Sequence, residues 1–221
     1  MAAGVLNDTA SRLAAIGRRF YDRGWALGTS GNFSAVVSRK PLRLAITATS
    51  VAKGSLRPAD ILLCDGRGRV IGRGTRRASA EALIHVEIAT RRGACAVLHT
   101  HSVWSTMLSD VAAPDAGVTI EGYEMLKGLA GITSHEHREW IPILENDQDI
   151  PALARRVGDT LDRFPDAHAF LLRRHGLYTW GETLAEAERH VEILEFLLET
   201  LGRSASRVAA GHTPGGSSWP L

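Results

Sequence analysis

Apolar and polar positions follow two rhythms along this 221-residue chain. Between Asn7 and Asp22, Leu13, Ile16 and Phe20 recur at helical spacing, and Gly24 is a stop signal. Phe33–Val37 and Leu42–Thr47 read as strands joined by a polar, Pro-containing turn. Asp60–Cys64 and Arg69–Ile71 flank Asp65-Gly66-Arg67-Gly68, a hairpin signal. Ser79 is a candidate N-cap for a helix from Ala80 to about Arg91, stopped by Gly93. An apolar run, Ala94 to Leu98, then leads into His99-Thr100-His101. Ser102 caps a predicted short helix through Leu108, and Glu121–Leu129 is a candidate for another. Asp149-Ile150-Pro151 opens a helix to about Arg163, with Pro in its first turn. A second apolar run, Ala167 to Leu172, leads to His175 and continues as Leu177–Trp180. Leu184, Val191, Leu194, Leu198 and Leu201 line one side of a long helix from Thr183 to Leu201. Hairpins interleaved with helices imply an α/β fold, a mixed sheet covered by helices, over residues 1–203. Residues 204–221, rich in Gly, Ser and Ala, read as a flexible C-terminal tail.

Composition narrows the class. Apolar residues make up 44% and charged residues 23%, ordinary for one globular domain with a sizeable core. Formal charge is +2, and the arginines come in scattered pairs, so no nucleic-acid partner is expected. No apolar run reaches a membrane span, and Met1–Val5 shows no basic segment leading into an apolar core. Cys64 and Cys95 are too few for a disulfide framework, so a reduced, cytoplasmic protein is expected.

The chemistry-bearing residues start with the histidines. A strand sends every second side chain to one face, so His99 and His101 look the same way. With His175 they offer three imidazoles and an open position, the ligand pattern of a catalytic rather than a structural metal. Cys95 lies roughly 13 Å back along the same strand, too far to share that metal. Gly28-Thr29-Ser30-Gly31-Asn32 is a small hydroxyl-rich turn able to present N–H and O–H groups to an anion, and equally able to be only a tight turn. Arg77-Ala78-Ser79-Ala80-Glu81 precedes a helix whose N-terminus suits a phosphate. Glu81 can also reach a metal as a displaceable ligand. Thr47-Ala48-Thr49-Ser50 is hydroxyl-rich, with Lys53 nearby. Glu121 to Gly128 brings Glu124, a candidate acid/base, some twenty residues after the histidine pair.

Four segments in this order, Thr29-Ser30-Gly31-Asn32, Ser79-Ala80-Glu81, His99-Thr100-His101 and His175-Gly176-Leu177, resemble the class II aldolase/adducin family. The resemblance spans about residues 8–202. Three further stretches, Glu124–Gly128, Ile141–Ile150 and Leu172–Gly181, resemble its branch that dehydrates 5-methylthioribulose 1-phosphate in methionine salvage. It implies a central, mostly antiparallel sheet and one Zn2+ per subunit on His99, His101 and His175. It places the acid/base at Glu124 and the phosphate near Ser30, Gly31, Asn32, Ser79 and Ala80. It also implies a homotetramer with active sites near subunit interfaces. The family's Thr-Pro-Ser-Gly is Thr47-Ala48-Thr49-Ser50 here, which removes the glycine that lets backbone approach a phosphate. The alternatives are a sugar-phosphate aldolase or epimerase, which would use the same metal, and a non-catalytic adducin-like scaffold, against which the three retained histidines argue.

Overall fold

The computed structural model describes residues 2–72 and 74–209. The chain runs through α1 (Ala2–Asp22), β1 (Asn32–Arg39), β2 (Leu42–Thr47), β3 (Ile61–Asp65), α2 (Ala82–Arg91), β4 (Ala96–Thr100) and α3 (Val103–Val111). It continues with β5 (Gly117–Glu121), β6 (Arg138–Leu144), α4 (Ile150–Arg163), β7 (Ala169–Leu172), β8 (Gly176–Gly181) and α5 (Leu184–Ala209). The strands form a single sheet in the order β3-β2-β1-β4-β8-β7-β6-β5. Neighbours pair antiparallel except β6 and β7, which α4 connects as a parallel pair. The mostly antiparallel α/β sheet expected from the sequence is therefore present.

Strand β4 is buried along its whole length, as a central strand covered on both faces must be. Its alternation sorts the two layers. Ala96 and Leu98 pack with Leu13, Ile16 and Phe20 of α1 and Ala187 and Val191 of α5. Val97 faces the other way, onto Ile84 and Ile88 of α2 and Leu153 and Val157 of α4. Residues 99 and 101 continue the Val97 face to the end of the strand and just past it.

Several boundaries differ from the sequence reading. Glu121 to Leu129 is not a helix: Glu121 ends β5, and only a 3₁₀ turn forms at Glu124–Gly128. The β5–β6 hairpin was not visible in the pattern, because β5 has five residues and Pro142 in β6 reads as a breaker. Arg69–Ile71 forms a single bridge, Cys64 to Val70, rather than a strand. Ser79 does not cap α2: the helix starts at Ala82 with Glu81 at the N-cap, and Ser79 Oγ accepts instead from the Glu81 amide at 3.3 Å. Ser102 does cap α3, accepting from the Ser105 amide, and Asp149 caps α4, accepting from Ala152. The last helix runs to Ala209, so residues 204–209, read as the start of a tail, belong to α5. The remainder of that tail, 210–221, lies outside the described residues.

Candidate metal centre

Three local devices bring the histidines together. His99 belongs to β4, and His101 follows its last residue. His175 sits in the tight turn between β7 and β8, where Arg174 adopts a left-handed backbone (φ 54°). Antiparallel pairing sets β8 beside β4, with His99 opposite Tyr178. The approach is close: a Cβ on Gly176 would lie 2.0 Å from the Thr100 carbonyl oxygen, so only glycine fits.

The three Nε2 atoms converge. They lie 2.8 Å (His101–His99), 3.0 Å (His175–His101) and 3.2 Å (His99–His175) apart. His99 donates its Nδ1 proton to the Leu177 carbonyl at 2.9 Å, which leaves Nε2 as a bare lone pair. His175 Nδ1 faces Asn146 Oδ1 at 3.3 Å, and this fixes the same tautomer. His99 is fully buried and stacked on the Tyr178 ring, with centroids 3.8 Å apart. Burial pushes its pKa well below the usual imidazole value, and the neighbouring imidazoles push it further. Burial, with His175 and Lys53 nearby, pushes His101 down to about 3. Burial lowers His175, against the pull of Glu81. All three are held neutral, as ligands must be. Lone pairs this close repel one another unless a cation lies between them, so the donor set fits a divalent metal.

A carboxylate stands beside them. Glu81 lies 3.4 Å from His175 Nε2 and 3.7 Å from His99 Nε2. Asn32, opposite His99 in the β1–β4 register, donates Nδ2–H to Glu81 Oε2 at 2.5 Å. Behind it, His85 Nε2 donates to Asn32 Oδ1, and Ser34 Oγ donates to His85 Nδ1 at 2.7 Å. Full burial pushes His85 down to about 3, so it is neutral and its two nitrogens have defined roles.

His101 and His175 open onto a cavity of about 270 Å3, with His99 buried behind them. Ser30, Gly31, Asn32, Ser79, Ala80 and Glu81, all singled out from sequence, line it. Gly31 is required there: its φ is 71° and a Cβ would lie 2.8 Å from the His99 carbonyl. Ser50 has φ 59°, so it occupies the left-handed conformation for which glycine is suited, and its hydroxyl replaces bare backbone at the wall. Asn146 and Gln148, also at the wall, were not singled out as site residues. The polar run following an apolar strand was the available signal.

Glu124 is not brought to this centre within its own chain. It stands on the 3₁₀ turn after β5, its side chain 73% exposed, accepting from Lys127 Nζ at 2.7 Å. That hydrogen bond and the lysine charge hold its carboxyl below the usual range, so it is ionised.

Comparison with known proteins agrees with this architecture. The Class II Aldolase and Adducin N-terminal domain matches residues 11–201. A methylthioribulose-1-phosphate dehydratase of Methylococcus capsulatus is 46% identical over 191 residues, covering 86% of this chain and 91% of its own. One of Marinobacter nauticus is 40% identical, covering 86% and 90%. The crystal structure of L-fuculose-1-phosphate aldolase from Thermus thermophilus superposes with a TM-score of 0.71 at 25% identity, over 96% of this chain and 100% of that one. With its sheet order, its helical layers and its histidine centre described, this chain belongs to the class II aldolase and adducin N-terminal domain family.

Proposed function

We propose that the protein dehydrates 5-methylthioribulose 1-phosphate to 2,3-diketo-5-methylthiopentyl 1-phosphate, a hydro-lyase step of methionine salvage in the cytoplasm. The observation that carries this reading is the convergence of His99, His101 and His175 at a hydroxyl-lined cavity. The similarity to dehydratases supplies the substrate. Zinc on those imidazoles would supply a Lewis acid for the substrate's carbonyl and neighbouring hydroxyl. The chain's own residues supply the rest. Ser30, Ser79 and the backbone N–H groups near Gly31 and Ala80 suit the phosphate. Glu81, tethered by Asn32, is the extra metal ligand or acid at the edge of the site. Glu124 takes the C3 proton and delivers a proton to the departing C4 hydroxyl, which leaves as water.

For that role Glu124 must come from another subunit. Two features support a homotetramer with its sites near the interfaces. Helix α3, which starts two residues after His101, exposes Val103, Met107 and Val111 along one face, and Met125 beside Glu124 is also exposed. The test mixes two inactive variants, His101→Ala and Glu124→Gln, each purified and checked for folding. Regained activity in the mixed oligomer is expected, because some sites then combine an intact histidine set with an intact Glu124. If mixing under exchange conditions restores nothing, Glu124 does not act across subunits. If Glu124→Gln alone keeps full turnover with metal bound, it is not the acid/base.

The runner-up is sugar-phosphate aldolase chemistry, favoured by the likeness to the Thermus aldolase. Zinc-loaded protein that cleaved fuculose or ribulose phosphates and left methylthioribulose 1-phosphate unchanged would replace dehydration with that reading.

A further inference from the structure

Lys53 is the most unusual side chain at the cavity wall. It follows β2, in the loop that carries Ser50, and is 1% exposed. Its Nζ donates to the Thr29 carbonyl and the Val51 carbonyl, both at 3.0 Å. Those acceptors are the neighbours of Ser30 and Ser50, so one ammonium ties the two hydroxyl-bearing loops together. An ammonium has three protons, and only two are committed here. Among the described residues no carboxylate pairs with it, although a buried charge normally has a counter-ion. Burial lowers its pKa to about 8, which leaves it mostly protonated at neutral pH.

The other cations nearby are already spoken for or face elsewhere. Arg57 and Arg76 both pair with the buried Asp60, at 3.3 Å and 2.6 Å. They and Arg77 line an adjoining hollow that shares the Ala48–Ser50 wall with the metal cavity, and none of the three lines that cavity itself. Among the described residues, the cavity wall therefore carries one lysine, with a spare proton and no counter-ion, between two loops of hydroxyls.

We propose that Lys53 is the cation that neutralises and positions the substrate's phosphate in this cavity. The proposal rests on the substrate being a phosphoketose, but not on which one is turned over. The phosphate supplies the missing counter-charge. It accepts the third Nζ proton while Ser50 and Ser79 donate around it, Ser30 joining them by turning its hydroxyl away from the Leu27 carbonyl, and the two carbonyl contacts keep the ammonium from swinging into bulk water.

Inorganic phosphate is the probe, measured by calorimetric titration of the zinc-loaded protein. Lys53→Met should weaken phosphate binding roughly 10- to 100-fold, the scale of one charge-assisted hydrogen bond. Its zinc affinity should stay unchanged, which a collapse of the loops would not allow. Lys53→Cys should show the same loss, and alkylation with 2-bromoethylamine should rebuild the ammonium and restore binding, with identically treated wild type as control. Unchanged phosphate affinity in Lys53→Met overturns the proposal. If that variant does not fold, a crystal of wild type grown with phosphate decides: phosphate against Nζ upholds the proposal, and phosphate seated elsewhere overturns it. Failure of the dehydratase reading looks different, with phosphate bound through Lys53 but no turnover of methylthioribulose 1-phosphate.

Discussion

His85 should make the fold sensitive to mild acid, and the size of the effect follows from its surroundings. It is fully buried between Ser34 and Asn32, and burial pushes its pKa to about 3, against about 6.5 in the unfolded chain. The sign follows from proton counting. Between these values the unfolded chain binds a proton that the folded protein refuses, so stability falls as pH drops below about 6.5. From pH 7 to pH 5 the loss is about 2 kcal/mol for this one group. The total slope hides it. His101 adds a loss of similar size and the same sign, because its pKa is also about 3. Glu195 works the other way. It is buried beneath Thr100 on α5 and its pKa is pushed up to about 7, so acid relieves about 2 kcal/mol of its charge burial over the same range. Only a difference between variants isolates His85. His85→Gln removes the titration, while the cost of disturbed hydrogen bonds to Asn32 and Ser34 is the same at both pH values and drops out of the slope. Urea unfolding of both proteins, metal-free and at matched concentration, should show the variant losing about 2 kcal/mol less than wild type between pH 7 and pH 5. Equal losses would refute the argument, and would mean that His85 is solvated or paired in a way the buried network does not show.

The remaining predictions concern backbone and metal. Ser50→Gly relieves a left-handed serine but frees the unfolded chain, so thermal unfolding should show a net change within about 1 kcal/mol; a larger loss would show that the Ser50 side chain is structural. Gly31→Ala should instead cost about 2–4 kcal/mol by the same measurement, because its Cβ meets the His99 carbonyl; a neutral result would mean that the two strands can part there. Chelation should abolish activity and lower Tm, and zinc should restore both; activity that survives complete chelation would rule out metal chemistry. Burial holds His99 well below the usual imidazole value and His101 at about 3, so neither should weaken zinc binding, read in competition with a chromogenic chelator, between pH 7 and pH 5. A ligand of ordinary pKa loses roughly 25-fold over that range, so a fall larger than the roughly 25-fold that His175 alone could supply would count against buried, neutral His99 and His101.

Much of this site was legible because its signals are local. Two-residue spacing on a strand sets His99 and His101 on one face, and a short hydroxyl-rich turn announces itself through Gly31. Helix ends were legible where one side chain decides them, as at Ser102 and Asp149. They were not at α2, where Glu81 takes the N-cap position without a side-chain cap and Ser79 accepts from the Glu81 amide in the turn before it. The β5–β6 hairpin escaped because Pro142 lies inside a strand whose other pairings hold it in place.

What the sequence determined by itself was the inventory: three imidazoles, an apolar β4 to carry two of them, and the hydroxyls around them. The tertiary structure decided which groups meet. It set β8 against β4 so that His175 closes the trio, and it tied Glu81 to His85 through Asn32. It buried Lys53 with no counter-ion among the described residues and left Glu124 on the surface. The physical reason is that side-chain direction along a strand is a property of neighbouring residues, whereas burial and encounter depend on strand order and layer packing. Those arise from pairings between residues as much as 169 positions apart, as in the contact between Arg19 and Glu188, and no local pattern records them.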